Sequence, residues 1–265
     1  DAGGGDSGHV RVFRKTGPRY VPVGLDLDGG AAADRFGTTV ALSALGDTLA
    51  VGATRDSGSS TGYVQIYTLV GNTWQPLGDA ISGHNGLGSD ERVMSVSMSA
   101  DGRTVAIGIL DIGPRRGRVR VFRWNGNAWA KFGEAIDGED RYNESGRSVS
   151  LSSDGLTVAI GAPFNDGGIN DNSTGPFQPA SRGHVRVYRF DEGAWQQRGD
   201  DLNGDEVLGN SAQLGSSVSL SSDGNVVAGG APIANSPSNG RSGAVRVFLW
   251  TGTAWEQRGS DIFGS

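Results

Sequence analysis

The chain has 265 residues, no cysteine, and 29 acidic against 23 basic side chains for a net charge of −6. Disulfides, thiolate catalysis and cysteine-based zinc sites are thereby excluded, and neither nucleic acid nor an anionic membrane is the expected partner. No apolar run approaches the roughly 20 residues that cross a bilayer, so membrane insertion is not expected.

Forty-five glycines and only two methionines favour short strands and tight turns over helices. The first strand-like segment is GHVRVF from Gly8, followed by Tyr20, Gly24 and Leu27. A hairpin pattern follows, TVALSALGDTLAVGA over 39–53, then GYVQIY from Gly62 with Trp74, Gly78 and Ile81. The same sequence of features returns as SVSMSADGRTVAIGI (95–109), GRVRVF from Gly117, Trp129, Gly133 and Ile136. It returns again as SVSLSSDGLTVAIGA (148–162), GHVRVY from Gly183, Trp195, Gly199 and Leu202. The last copy is SVSLSSDGNVVAGGA (217–231), GAVRVF from Gly243, Trp255, Gly259 and Ile262.

Each hairpin pattern is a period-2 run, a Gly-containing turn and a second short apolar run. In the Ser-Asp-Gly turns Asp bonds the local backbone and Gly accepts a positive φ; Leu45-Gly46-Asp47 in the first copy predicts a different turn there. One repeat therefore holds four strands over roughly 54–66 residues. Four-stranded antiparallel units repeated around an axis are the blades of an all-β propeller, and neighbouring blades must stack to bury each other's faces. Small Ser and Ala residues suit the crowded inner strands, and the fourth-strand Trp suits the wider rim.

The sequence predicts one β-propeller domain over 1–265, with four complete blades at about 37–83, 93–138, 146–204 and 215–264 and a half-blade at 8–27, making five blade positions. The opening DAGGGDSGHVRVF matches SNGRSGAVRVF at 238–248, the tail of a strand 2–3 loop. A half-blade without its inner hairpin leaves an unpaired edge, to be completed by residues outside this chain, by self-association or by another molecule.

Phe36-Gly37 before the first hairpin, and Gly161-Ala162-Pro163 and Gly230-Ala231-Pro232 after later ones, together with the Gly-x-Val-x-Val-Tyr/Phe strand, resemble the FG-GAP propeller repeats of integrin α-subunits and of bacterial and algal surface proteins. The resemblance covers almost the whole chain and implies an extracellular or cell-surface protein whose signal peptide is not in this chain. Two departures stand out. Ser145-Gly146 and Leu214-Gly215 replace the Phe-Gly pair, with Arg92-Val93 near the second hairpin, and the family's Asp-x-Asp-x-Asp-Gly calcium loop is replaced by Ser-Ser-Asp-Gly.

Candidate sites lie mainly in loops. His9 and His184 share a repeat position with Tyr63, Arg118 and Ala244, which reads as a solvated strand start, and His84 lies in a loop. Arg11, Arg120, Arg186 and Arg246 share one strand-3 position, where alternation sets their stems against strand-4 aromatics and their heads toward Asp or Glu. Arg198-Gly199-Asp200 spells RGD, but Gly199 is the repeat's own glycine at a strand end. In the loop between strands 4 and 1, Asp137, Glu139, Asp140, Asn143 and Glu144 offer hard oxygen ligands of the kind Ca2+ accepts; the other reading is an acidic, solvated loop. Asn143 and Asn172 head two glycosylation sequons. The long insertion 163–182 is the expected place for blade-specific recognition, through Phe164, Asn170, Asp171 and Phe177.

The function expected from these features is a non-enzymatic extracellular binding or structural propeller that engages protein or glycan through the loops of one face. The alternatives are a calcium-dependent lectin-like or adhesion propeller and, third, an enzyme with its site in the central channel. The enzyme is disfavoured because the first strands offer mainly Ser, Val, Ala, Met and Leu rather than non-repeating His, Asp, Glu or Arg.

Overall fold

Segments such as SVSLS and HVRVY alternate two kinds of side chain at period two, which in a strand sends each kind to its own face of the sheet. The computed structural model describes residues 4–54, 61–83, 87, 91–111, 113, 115–165, 181–236 and 240–264, and among these all regular structure is strand. A half-blade comes first: β1 (His9–Val10), β2 (Phe13–Thr16), β3 (Arg19–Pro22) and β4 (Leu27–Asp28), with β2 paired to β3 and β1 to β4. The first full blade runs β5 (Thr39–Leu42), β6 (Thr48–Ala53), β7 (Tyr63–Val70), β8 (Thr73–Pro76). The second runs β9 (Glu91–Met98), β10 (Thr104–Asp111), β11 (Arg118–Trp124), β12 (Trp129–Lys131), with β13 (Ile136–Asp137) also on β11. The third repeats this order with β14 (Ser148–Leu151), β15 (Thr157–Ala162), β16 (His184–Asp191), β17 (Ala194–Gln197) and β18 (Leu202–Asn203). In the fourth, β19 (Ser217–Leu220) and β20 (Val226–Ala231) are followed by a small added pair, β21 (Asn235–Ser236) and β22 (Gly240–Arg241). The blade then finishes with β23 (Ala244–Trp250), β24 (Trp255–Gln257) and β25 (Ile262–Phe263). The chain is a β-propeller array of antiparallel four-stranded blades.

The hairpin between the first two strands of a blade closes on itself. Ser99 Oγ donates to Asp101 Oδ1 at 2.6 Å and accepts the Thr104 N–H at 2.9 Å, while Asp101 Oδ1 also takes the Arg103 N–H. Ser152 with Asp154, and Ser221 with Asp223, repeat the arrangement. In the first blade the acid has moved: Ser43 Oγ donates to Asp47 Oδ1 at 2.7 Å. The departure in sequence there is a different turn with the same internal satisfaction.

The core lies between blades rather than within them. Ala50, Val64 and Ile66 of the first blade pack with Val93, Val96 and Ile107 of the second. Val119 and Val121 pack with Val149 and Ile160, and Val185 and Val187 with Val227 and Phe248. Val23 of the half-blade joins Leu49, Val51 and Trp74. Each junction is locked at the rim by one tryptophan. The indole N–H of Trp74 donates to the Val23 carbonyl at 2.9 Å, Trp129 to Leu77 at 2.8 Å, Trp195 to Phe132 at 2.7 Å and Trp255 to Arg198 at 2.6 Å. The acceptor is always the residue before the repeat glycine. That glycine has a positive φ and lies against the aromatics of the next blade: a Cβ on it would come within 2.7–2.8 Å of a ring carbon, of Trp74 at Gly24, Trp124 at Gly78, Trp195 at Gly133 and Trp250 at Gly199.

Two glycines separate the two effects. Gly133 (φ +79) lies under Trp195 and Phe190, whereas Gly259 (φ +78) has nothing within 4 Å of its Cβ position. Both Gly133→Ala and Gly259→Ala carry the left-handed backbone cost of about 1–2 kcal/mol. Only Gly133→Ala adds an overlap costing about 1–3 kcal/mol. Thermal unfolding of the two variants should therefore place Gly133→Ala clearly below Gly259→Ala, and equal melting temperatures would refute the lock.

Candidate functional site

The blades present two unlike faces. One carries the internally satisfied Ser-Asp-Gly turns. The other carries the connections from strand 2 to 3 and from strand 4 to the next blade, which bond to each other: Phe36 N–H to the Ser7 carbonyl at 2.9 Å, Ser145 to Arg116 at 2.8 Å, and Leu214 to Arg182 at 2.9 Å. The glycine that follows each of these donates to the glycine of the second strand, Gly37 to Gly52 at 3.1 Å, Gly146 to Gly161 at 3.0 Å and Gly215 to Gly230 at 3.0 Å. Reaching this geometry puts the preceding residue, Arg35, Glu144 or Gln213, in the left-handed region with φ of 51°, 50° and 58°.

The loop face is cross-braced by arginine. Arg11, Arg186 and Arg246 bind Asp26, Asp201 and Asp261, each 15 residues further on, with Nε–carboxylate distances of 2.7–2.8 Å. Arg186 and Arg246 also reach acids of the preceding connection, Glu139 and Asp205. Arg120 lacks an acid at the later position and pairs with Glu91 at 2.5 Å instead. The matched arginines are thus structural braces, with heads on Asp or Glu.

One brace gathers more. Ligand atoms of Glu139, His184 and Asp201 lie within 4.8 Å of one another, the one such group of three among the described residues. Arg186 bridges Asp201 and Glu139 and already supplies these carboxylates with a cation. An imidazole donor also fits Ca2+ poorly, since that ion takes oxygen ligands. His184 is buried, which corrects the reading of this position as a solvated strand start; His9 at the matched position is exposed. Burial, with the neighbouring Arg186 charge, holds the His184 imidazole down at about 4, against the opposing pull of Asp201 (3.8 Å away) and Glu139. Asp201 is held below the usual carboxylate range: burial pushes it up, and the hydrogen bonds and charge of Arg186 outweigh this.

The five expected Ca2+ ligands are not brought together. Asp137 pairs with Arg118 at 3.1 Å, Glu139 turns to Arg186, and Glu144 is buried between Arg115 and Arg147. No three of Asp137, Glu139, Asp140 and Glu144 form a ligand group. Asn143 is buried too, so a glycan there has no room unless the loop opens. Phe164 is half-buried at the start of its loop, and Asn170, Asp171, Asn172, Phe177 and His84 lie outside the described residues. Arg198 of the RGD tripeptide bonds the Gly224 carbonyl at 2.7 Å and stacks 4.6 Å from the Trp250 ring, so it is a junction residue and not a displayed ligand. The Glu139–His184–Asp201 group escaped sequence reasoning, although the recurrent Arg-to-Asp interval of 15 residues was there to find.

A buried neutral histidine makes stability depend on pH with a definite sign. Its folded value lies below the ordinary 6.5, so the unfolded chain takes up the proton first. Stability should be full above about pH 6.5 and fall toward pH 4, by at most on the order of 3 kcal/mol. Urea unfolding across that window checks this, and His184→Gln should flatten the slope.

Residues 26–67 match the FG-GAP repeat family. No curated protein sequence matches the chain significantly. Among solved structures, a periplasmic gluconolactonase of Pseudomonas aeruginosa is similar with a TM-score of 0.61 and 17% identity, over 96% of this chain and 64% of that one. A hypothetical selenium-binding protein from Sulfolobus tokodaii gives 0.52 and 11% over 82% and 53%. A putative 6-phosphogluconolactonase from Bacteroides fragilis gives 0.50 and 15% over 96% and 78%. The chain thus spans less than two thirds of the first two. These likenesses correct the expectation that the chain is not an enzyme: a gluconolactonase is built on the same fold, so the residue types of the inner strands do not exclude catalysis. The chain is thus a β-propeller that carries a match to the FG-GAP repeat over residues 26–67.

Proposed function

We propose that this propeller is an extracellular recognition module that engages a protein or glycan through its loop face. The observation that carries the reading is the contrast between the two faces. The turn face repeats one hairpin whose polar groups are satisfied within the hairpin or by the turn of the neighbouring blade. The loop face differs from blade to blade in length and charge, as DGGAAADRFG, DGEDRYNESG and NGDEVLGNSAQLG illustrate. A rigid frame with variable loops on one side is the usual arrangement for recognition. At this face Glu206 and Val207 stand exposed on the connection before the fourth blade, and Arg182 ties Glu206 and Asn210 to the third.

Binding to a glycan array and to a panel of extracellular proteins, with and without calcium, tests the proposal. Glu206→Lys and Val207→Asp should weaken any hit tenfold or more, while Arg103→Glu on the turn face should leave it within about twofold. The opposite pattern would sink the loop-face assignment, and loss of binding on removing calcium would favour the lectin-like version. Turnover of a gluconolactone by the wild-type chain would place catalysis on this frame instead.

A further inference from the structure

One groove between blades on the turn face holds charges of both signs that do not pair with each other. Asp101, Arg103, Thr104 and Arg123 of the second blade, with Asp154 and Leu156 of the third, line an open cleft of about 310 Å3. Both blades are interior to the array, packed against the first blade on one side and the fourth on the other. The floor of the cleft is fixed. A Cβ on Gly155 would come within 2.7 Å of the Thr104 side chain, and the Ala100 N–H donates to the Ser153 carbonyl at 3.0 Å. Arg123 is held there without an acid. Its Nε donates to Thr104 Oγ1 at 3.1 Å and its guanidinium lies 3.6 Å from the centre of the Phe132 ring, so both Nη groups are unspent among the described residues. The Arg103 side chain is exposed and makes no hydrogen bond or ion pair among the described residues. Asp101 and Asp154 close their own turns through Oδ1, which leaves each Oδ2 without a donor among the described residues. On the loop face, by contrast, Arg11, Arg120, Arg186 and Arg246 all have their acids. The neighbouring grooves differ as well. Thr68 stands in the first blade where Arg123 stands in the second, and between the third and fourth blades Arg198 spends its Nη groups on the Gly224 carbonyl and Asn225.

We propose that this cleft binds a free apolar amino acid as its zwitterion, the carboxylate on Arg123 and Arg103 and the ammonium on Asp154 and Asp101. A guanidinium fork with two free Nη groups is matched to a carboxylate, and the ion-pair hydrogen bonds are stronger than neutral ones. A ligand of one sign would meet two like charges as well as two opposite ones. A ligand carrying both signs within a few bonds pairs all four. Leu156, half-buried on the wall of the third blade, is the surface for an aliphatic side chain. The volume is at the small end for ligand clefts and admits a molecule of this size. The site lies on the face opposite the variable loops and does not rest on the recognition assigned to them.

Titration of the full chain with L-leucine, followed by the amide resonances of Arg103, Thr104 and Leu156, tests this. Those resonances should shift and saturate. N-acetyl-leucine, which keeps only the carboxylate, and leucine methyl ester, which keeps only the ammonium, should each bind at least tenfold more weakly. Arg103→Gln removes a side chain with no partner in the fold, and Asp154→Asn keeps an Oδ1 acceptor for the turn. Each variant should weaken leucine at least tenfold, whereas Glu206→Lys on the loop face should leave it within about twofold. Absence of any shift up to about 20 mM leucine, a concentration that would reveal even millimolar affinity, would overturn the proposal. So would N-acetyl-leucine binding as tightly as leucine, which would make the cleft a plain anion site, or glucuronate binding more tightly than leucine, which would make it a site for an acidic sugar. Unchanged affinity in both Arg103→Gln and Asp154→Asn would place any leucine elsewhere on the molecule.

Discussion

The indole-to-carbonyl lock at the rim is the contact on which the rest of the array depends. A four-stranded blade has two apolar faces and no interior of its own, so it is stable only when a neighbour is held at the right distance. Trp74 shows how one residue does this: its N–H fixes the Val23 carbonyl and its ring lies on Gly24. The glycine cannot be replaced without moving the ring, and the ring cannot move without losing its acceptor. Because each junction uses its own copy of the lock, stability accumulates from nearest neighbours, as in other repeat proteins.

That arrangement frees the loop face from the task of holding blades together, and charge takes over there. Each Arg-to-Asp brace ties the third strand to the end of the fourth, and Arg186 and Arg246 add an acid from the preceding connection. The acidic loops therefore carry their own cations. This is why a run as rich in oxygen ligands as DGEDRYNE gathers no metal group of its own: Glu144 is held by two arginines and Glu139 by a third. The buried His184 persists beside Arg186 by staying neutral.

The four-stranded repeat was legible because it is set by residues a fixed interval apart, and period-2 alternation pointed the strand-3 arginines toward Asp or Glu. Burial of His184 was not legible. Its siblings His9 and Arg118 lie at the same strand start, one exposed and one half-buried. A glycine of the following connection crosses the carbonyl of all three, Gly37 at His9, Gly146 at Arg118 and Gly215 at His184, so what sets His184 apart is the charged groups gathered around it, Arg186, Asp201 and, from the preceding connection, Glu139. The burial of Asn143 and Glu144 has another origin, a left-handed residue in the loop turning the chain back onto the strand 2–3 connection. Nothing local in NESG announces that reversal.

The same geometry explains which part of the family motif this chain keeps. Phe36 is buried against Tyr63 and Tyr67, with ring centroids 6.3 Å apart in both cases, yet Leu214 and Ser145 fill the matched position in later blades. What does not vary where the loop is present is the glycine-to-glycine hydrogen bond that joins the FG turn to the second strand. The aromatic is therefore a space-filler sized to its own junction, and the glycine pair is the structural requirement. The second blade supports this from the other side. There Glu91, Arg92 and Val93 replace the turn, and the inner strand simply continues, pairing with Asp111, Leu110 and Ile109 across a bulge at Gly108/Ile109. A blade can lose the FG turn only by extending its ladder, since the backbone groups that the glycines satisfy must be paired in one way or the other.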